Sequence, residues 1–269
     1  MYFSSSNVLF ASLVSLVAVN SVTATIFSTN TKIGALTEAQ VLAIAPNSAD
    51  CTKASFPDEC TDATVATEQL NNAFKAYKVW SLGPKAALAS LIAFESGDFV
   101  YNINHFPGRP GQGTKAMLMF KWVYKFALWC GLDEEMSTII GKPAAEVTEA
   151  ETATFSNDTM NSIRALVLPV NLTFKAAPWY LVKQCKREHY EGLITDGYEG
   201  FKNYIELCID AGDITEDRTA KWCTAVSALK PSDMDMPTQC TATSSTTAVV
   251  APTTTAAASS AGVASPSGY

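Results

Sequence analysis

The chain has 269 residues, of which 48% are hydrophobic and 17% charged, and its formal net charge is −7. This hydrophobic share is sufficient for a globular core, and we expect one main domain of roughly 200 residues between two terminal segments. The acidic balance makes nucleic acids and anionic membranes poor partners.

Residues 1–24 have the pattern of a secretory signal peptide. Val8–Val19 is an apolar core, and Val22, Thr23 and Ala24 offer small side chains for cleavage. The apolar run is too short to span a bilayer, which disfavours a membrane anchor, and no later stretch is long and apolar enough to be a transmembrane segment. No Lys or Arg precedes the apolar core, which departs from the usual signal. We expect a secreted protein, either free outside the cell or attached to its wall.

The mature chain begins with an N-terminal segment, residues 25–50, that contains one short helix. This helix is predicted over residues 36–45, where Thr37 and Gln40 form a capping-box pattern. A loop follows over residues 46–59. Residues 62–81 then carry apolar side chains at helical spacing, which predicts an amphipathic helix.

The next stretch pairs an apolar helix with a single acid. Residues 84–95 predict a helix with Pro84 in its first turn, and Glu95 stands where the apolar run stops. A polar loop fills residues 98–113. A second apolar helix is predicted over residues 114–130, capped by Thr114 and buried at the centre of the domain. An acid at the mouth of a helix-walled cleft is an arrangement that hydrolases use for a general acid.

The rest of the chain predicts helices without sustained strand alternation. Their predicted ranges are residues 133–140, 143–153, 157–168, 171–185 with a kink or a restart at Pro178, 198–209 and 215–229. The fold class is therefore all-α, with any sheet limited to a small hairpin in the 98–113 loop. Residues 241–269 are rich in Thr, Ser and Ala without a charge and predict a disordered tail.

One motif resembles a known family. Glu95-Ser96-Gly97, a polar loop and then the run from Gly113 to Met119 resemble the Glu-Ser-x and Gly-Leu-Met-Gln blocks of soluble lytic transglycosylases and goose-type lysozymes. A similar run occurs in secreted fungal proteins described as lysozyme-like. The resemblance implies a single lysozyme-like helical domain over residues 51–240. It also implies cleavage of a β-1,4-linked amino-sugar polymer, with Glu95 as the catalytic acid/base.

Departures from the family pattern leave alternatives open. Leu118 stands where the family has glutamine, Phe120 where it usually has proline, and the later Ala-Tyr-Asn-Ala-Gly block is missing. If the protein is an enzyme, it is a glycoside hydrolase or a lytic transglycosylase. The alternative is a non-catalytic glycan-binding or cell-surface protein on the same scaffold, and a disulfide-stabilised effector with a protein partner is a third possibility.

The loop after Glu95 supplies the candidate substrate-binding residues. Aromatic rings can stack on sugars and amides can bond their hydroxyls, although the same residues are also typical of loop architecture. The candidates are Ser96, Tyr101, Asn102, Asn104, His105, Gln112 and Met117. Asp98 is the nearest second carboxylate but fits a turn residue better than a base. We expect a polysaccharide partner (chitin-like or peptidoglycan), no metal, no cofactor and a monomer.

Seven cysteines in a secreted chain predict three disulfides and one unpaired thiol. The predicted pairs are Cys51–Cys60, Cys185–Cys208 and Cys223–Cys240. The family resemblance supports the first two pairs, whereas the third rests only on closeness in sequence. Cys130, within an apolar run, is expected to be the unpaired and buried thiol. Asn157 and Asn171 begin N-glycosylation triplets.

Overall fold

The computed structural model describes residues 26–242, so the predicted signal peptide and the tail beyond Ala242 lie outside the described residues. Over these residues the protein is all-α, as predicted. Extended pairing within them is limited to isolated bridges between Lys32 and Ser81, Ile103 and Gly113, and Gly113 and Leu118. The small hairpin expected at residues 98–113 is thus reduced to single bridges, and Asn104 Oδ1 instead accepts from the backbone at residues 108 and 109.

The α-helices are α1 Glu38–Ile44, α2 Ala63–Ala76, α3 Leu82–Glu95, α4 Phe120–Trp129, α5 Asp133–Ile140, α6 Glu149–Thr152, α7 Asn157–Leu166, α8 Val170–Thr173, α9 Ala176–Lys183, α10 Arg187–Thr195, α11 Gly197–Asn203, α12 Glu216–Leu229 and α13 Thr238–Ala242. Short 3-10 turns cover Pro46–Ala49, Cys51–Lys53 and Ala144–Glu146, and a π-helix over Tyr204–Ile209 continues α11.

Helix α3 is the centre of the molecule. Its residues from Leu82 to Ala93 are all buried, and it packs against α12, α10, α9 and α1. A helix that is apolar on every side must be surrounded by protein. Helix α4 was predicted to hold that place, but it borders a second core with α5, α7 and α9, and Trp129 at its end is exposed.

The second apolar helix begins later than predicted. It starts at Phe120, and residues 114–119 form a turn and a bridge instead. Thr114 is therefore not a helix cap: its φ is 71°, in the left-handed region. Lys115 explains the difference, because its buried side chain reaches back to the preceding loop and holds this segment out of the helix.

Other boundaries differ where packing overrides the local pattern. The predicted 171–185 helix divides into α8 and α9, with the break at residues 174 and 175. Pro178 is the third residue of α9, where its missing N–H has no helical partner to lose. Helices α10 and α13 were not predicted.

No single helix among the described residues has the length and apolar character to cross a membrane, although α7 and 170–183, bent by 88°, meet those criteria together.

The cysteines pair as predicted, in Cys51–Cys60, Cys185–Cys208 and Cys223–Cys240. Cys130 is free and half-buried rather than fully buried, and burial raises the pKa of its thiol to about 11. Asn157 and Asn171 are both exposed. Their glycosylation stays a prediction.

Candidate binding cleft

A cleft opens at the carboxyl end of α3, where Glu95 stands. Two adjoining cavities form it, with volumes of about 230 and 510 Å³. Both are lined by Glu95, Asn104, Phe106, Gln112 and Met117, so they are parts of one space. The walls come from the loop after α3, the turn before α4, and residues on α9 and α12.

Most of the predicted site residues meet in this cleft. Glu95 and five of the seven predicted binding residues line it: Tyr101, Asn104, His105, Gln112 and Met117. The structure brings these side chains together around one cavity, and their roles in binding stay proposals.

Ser96 and Asn102 do not line the cleft. The Ser96 hydroxyl donates to the Ile92 carbonyl at 2.6 Å and accepts from the Phe99 N–H at 3.0 Å. It closes the end of α3 and has no contact that would orient Glu95. Asn102 is buried, and its Oδ1 accepts from the Thr173 hydroxyl at 3.1 Å. Both side chains thus hold the backbone of the cleft wall.

Glu95 forms an ion pair that the sequence analysis missed. Its Oε1 lies 2.8 Å from a guanidinium nitrogen of Arg218, and that guanidinium lies over the Phe94 ring at 4.4 Å. One helical turn further along α12, Lys221 pairs with Asp98 at 2.7 Å. Asp98 is therefore a structural ion-pair partner and does not line the cleft. No local pattern relates α12 to the end of α3, so tertiary packing alone brings Arg218 to Glu95.

The cleft walls combine apolar and polar surface. Trp122, Tyr180, Leu91 and Ile209 are among the residues that line the larger cavity. At its mouth Phe106 is 82% exposed and Met119 45% exposed, which is unusual for large apolar side chains in one place. The charged groups of the lining are Glu95 and Arg218, which pair, and Arg109, which lies near Met119.

Glu59 anchors the loop that forms one wall. Its carboxylate accepts from the backbone N–H groups of Asn102 at 2.8 Å and Ile103 at 3.1 Å. It also pairs with His105 Nε2 at 2.7 Å. The His105 ring stacks on Phe56, with 3.6 Å between centroids and 6° between planes. These contacts fix the wall against the segment closed by the first disulfide.

Lys115 is the second anchor and is fully buried. Its Nζ donates to the carbonyls of Glu59 and Phe99 at 2.7 Å and of Tyr101 at 3.3 Å. Burial lowers the pKa of this amine to about 7, and the Glu59 carboxylate opposes the shift in part. Because three carbonyls occupy the amine, it supports the loop and does not reach the cleft.

The turn before α4 has left-handed backbone at Thr114 and Met117, with φ of 71° and 44°. Such conformations are costly for residues other than glycine and persist only when the surroundings enforce them. The Lys115 N–H donates to the Thr173 hydroxyl at 2.9 Å, and Gln112 Nε2 donates to the Met117 carbonyl at 2.9 Å. The cleft wall is therefore held from both sides.

In the part of the chain that the structure describes, no group of three His, Cys, Asp or Glu side chains is placed to hold a metal ion.

Comparison with known proteins gives one relative of note. The chain is 32% identical over 159 residues to a protein of Fusarium oxysporum (strain Fo5176) named as a bifunctional dioxygenase (DOX)-epoxy alcohol synthase (EAS). The match covers 59% of this chain but only 12% of the relative, so the chain spans a small part of that protein's length. No protein-family model matches the chain, and no solved structure matches it.

This comparison overturns the lysozyme-like interpretation. The relative is named for dioxygenase and epoxy alcohol synthase activities, not for cleavage of a glycan. The predicted glycosidase or hydrolase function is therefore wrong, and the alternative of a glycan-binding protein on a lysozyme-like scaffold gains no support. The motif around Glu95 was too short to define a family. The domain boundaries, polysaccharide partner, secreted location and monomeric state are untested and stay predictions.

Proposed function

We propose that the chain binds a small, largely apolar molecule in the cleft and holds an oxygen function of that molecule at the Glu95–Arg218 pair. The observation that carries this proposal is a cavity of about 510 Å³ in which aromatic and aliphatic side chains stand beside one ion pair. Ligand sites commonly have this size and combine apolar walls with a few placed polar groups. In this proposal Glu95 is a residue that binds the ligand.

The chemistry of the pair suits an oxygen-bearing ligand. Arg218 is a donor only, and an ionised Glu95 is an acceptor only. A hydroxyl placed between them can accept from the first and donate to the second, whereas an epoxide or carbonyl oxygen can use the arginine alone. The apolar walls then bury the carbon skeleton, which supplies most of the binding free energy.

The relative supports this ligand class. An epoxy alcohol carries an epoxide and a hydroxyl on a carbon skeleton, and epoxy alcohol synthesis is part of the relative's name. Because the match covers 12% of that protein, neither of its activities is transferred to this chain. Only the kind of ligand, a carbon skeleton that bears an epoxide or a hydroxyl, is carried over to this chain.

Calorimetric titration of the chain from residue 25 onward with epoxyhexanol tests the proposal. Ala116→Phe places a ring in the cleft and should abolish binding, whereas the matched variant Ala228→Phe, at a half-buried position away from the cleft, should bind normally. Glu95→Gln should weaken binding by roughly tenfold to a hundredfold, because a hydrogen bond to a charged group contributes ~1.5–3 kcal/mol. Circular dichroism confirms that each variant is folded. Equal binding by the Ala116 variant and the wild type would refute the proposed site.

A further inference from the structure

We infer that the ligand is an elongated chain with its oxygen function near the middle, which deepens the proposed function and rests on it. A third cavity of about 730 Å³ adjoins the cleft. It shares Met119, Trp122, Tyr180 and Ile209 with the 510 Å³ cavity and shares no lining residue with the 230 Å³ cavity. The 510 Å³ cavity therefore adjoins both of the others, and we call the three adjoining cavities the groove.

The Glu95–Arg218 ion pair lies in the middle cavity of this groove. Glu95 lines the 230 and 510 Å³ cavities, and Arg218 lines the 510 Å³ cavity. Neither residue lines the 730 Å³ cavity. Beyond the pair on one side are the rings of Tyr101, His105 and Phe106. The groove thus presents apolar surface on both sides of its central charges.

The opposite arm is also built largely from apolar side chains. Phe120, Met160 and Ala153 line it, with Lys121 and Asp210 among its charged residues. The Trp122 ring, which lines both this arm and the middle, is fixed edge-on against Tyr180 with 5.1 Å between centroids. Because Trp122 and Tyr180 line both cavities, a chain that binds at Glu95 can extend along them into this arm.

The occupant that matches this pattern is a long hydrocarbon chain with an internal hydroxyl or epoxide. A short molecule would leave one apolar arm empty, and a chain with only a terminal oxygen would leave the central ion pair without a polar ligand. Hydrocarbon placed over the pair would remove water from the two charges without replacing its hydrogen bonds, which costs free energy. The groove should therefore select both for length and for the position of the oxygen.

The test uses the full chain and three probes below their micelle concentrations: hydroxystearate with its hydroxyl at mid-chain, stearate and epoxyhexanol. Ala153→Trp obstructs the far arm at an exposed position just after α6, and Ala150→Trp is the matched control at an exposed position on α6, outside the lining. Binding is measured by displacement of a dansylated undecanoate. Stearate should bind about tenfold more weakly than hydroxystearate, since it lacks one hydrogen bond to a charged group.

Ala153→Trp should weaken hydroxystearate binding about tenfold and leave epoxyhexanol binding unchanged, whereas Ala150→Trp should change neither. If epoxyhexanol binds in the cleft but Ala153→Trp does not affect hydroxystearate, or if stearate binds as well as hydroxystearate, the elongated-ligand inference is wrong and the proposed function stands. If no probe binds the wild type, the proposed function fails first. Binding of a peptide with an apolar stretch in preference to all three probes would also overturn the inference.

Discussion

Replacement of Lys115 by methionine should remove a pH-dependent part of the protein's stability. The pKa of this buried amine falls from 10.5 to about 7 on folding, because burial disfavours the charged form. Below pH 7 the amine is protonated in both states and adds no pH dependence. Between pH 7 and 10.5 the unfolded chain binds a proton that the folded chain does not. The free energy of unfolding therefore rises with pH in this window.

The magnitude follows from the size of the shift. A full proton difference changes the free energy of unfolding by about 1.4 kcal/mol per pH unit. The wild type should gain ~2–3 kcal/mol relative to Lys115→Met between pH 7 and pH 9. A second effect has no pH dependence: the variant leaves the carbonyls of Glu59, Phe99 and Tyr101 without their donor, at ~1–3 kcal/mol for an unsatisfied buried group.

Urea unfolding at pH 6, 7, 8 and 9, with the disulfides kept oxidised, measures this difference. Lys53→Met is the matched control, because the Lys53 side chain is 88% exposed and should show no such trend. A constant stability difference between wild type and Lys115→Met across the series would refute the reasoning. It would mean that the three carbonyls keep the ammonium charged inside the protein.

Three further outcomes are expected. Gly200→Ala should destabilise the protein by ~3 kcal/mol or more in the same urea assay, because its Cβ would overlap the α10 backbone, whereas Gly34→Ala, with open space around it, should cost less than ~1 kcal/mol. Cys130 should react slowly with a disulfide reagent at neutral pH and rapidly in urea, since its raised pKa leaves little thiolate; equal rates in both would contradict this. A double-mutant cycle on Glu95 and Arg218 should give a coupling of ~1 kcal/mol that falls with added salt, and a coupling of zero would show that the pair adds nothing to stability.

Local chemistry in the sequence determined much of the fold. Thr37 caps α1 with Gln40 in a capping box, and Thr215 caps α12, as their spacing predicted. Pro84 stands in the first turn of α3, whose apolar run ends at Glu95. Caps, apolar periodicity and turn residues act within a few positions of each other, so they can be read without knowing the fold.

Only the tertiary structure decided the site. Arg218 reaches Glu95 from α12, and Lys115 is drawn from a predicted helix into the loop by the carbonyls of Glu59 and Phe99. These contacts join segments far apart in the chain, and no short pattern specifies them. The motif around Glu95 singled out a residue that lines the cleft, but the chemistry predicted from it was wrong. A few residues fix where an acid lies on a helix, whereas the walls that define its ligand come from elements far apart in the chain that meet only on folding.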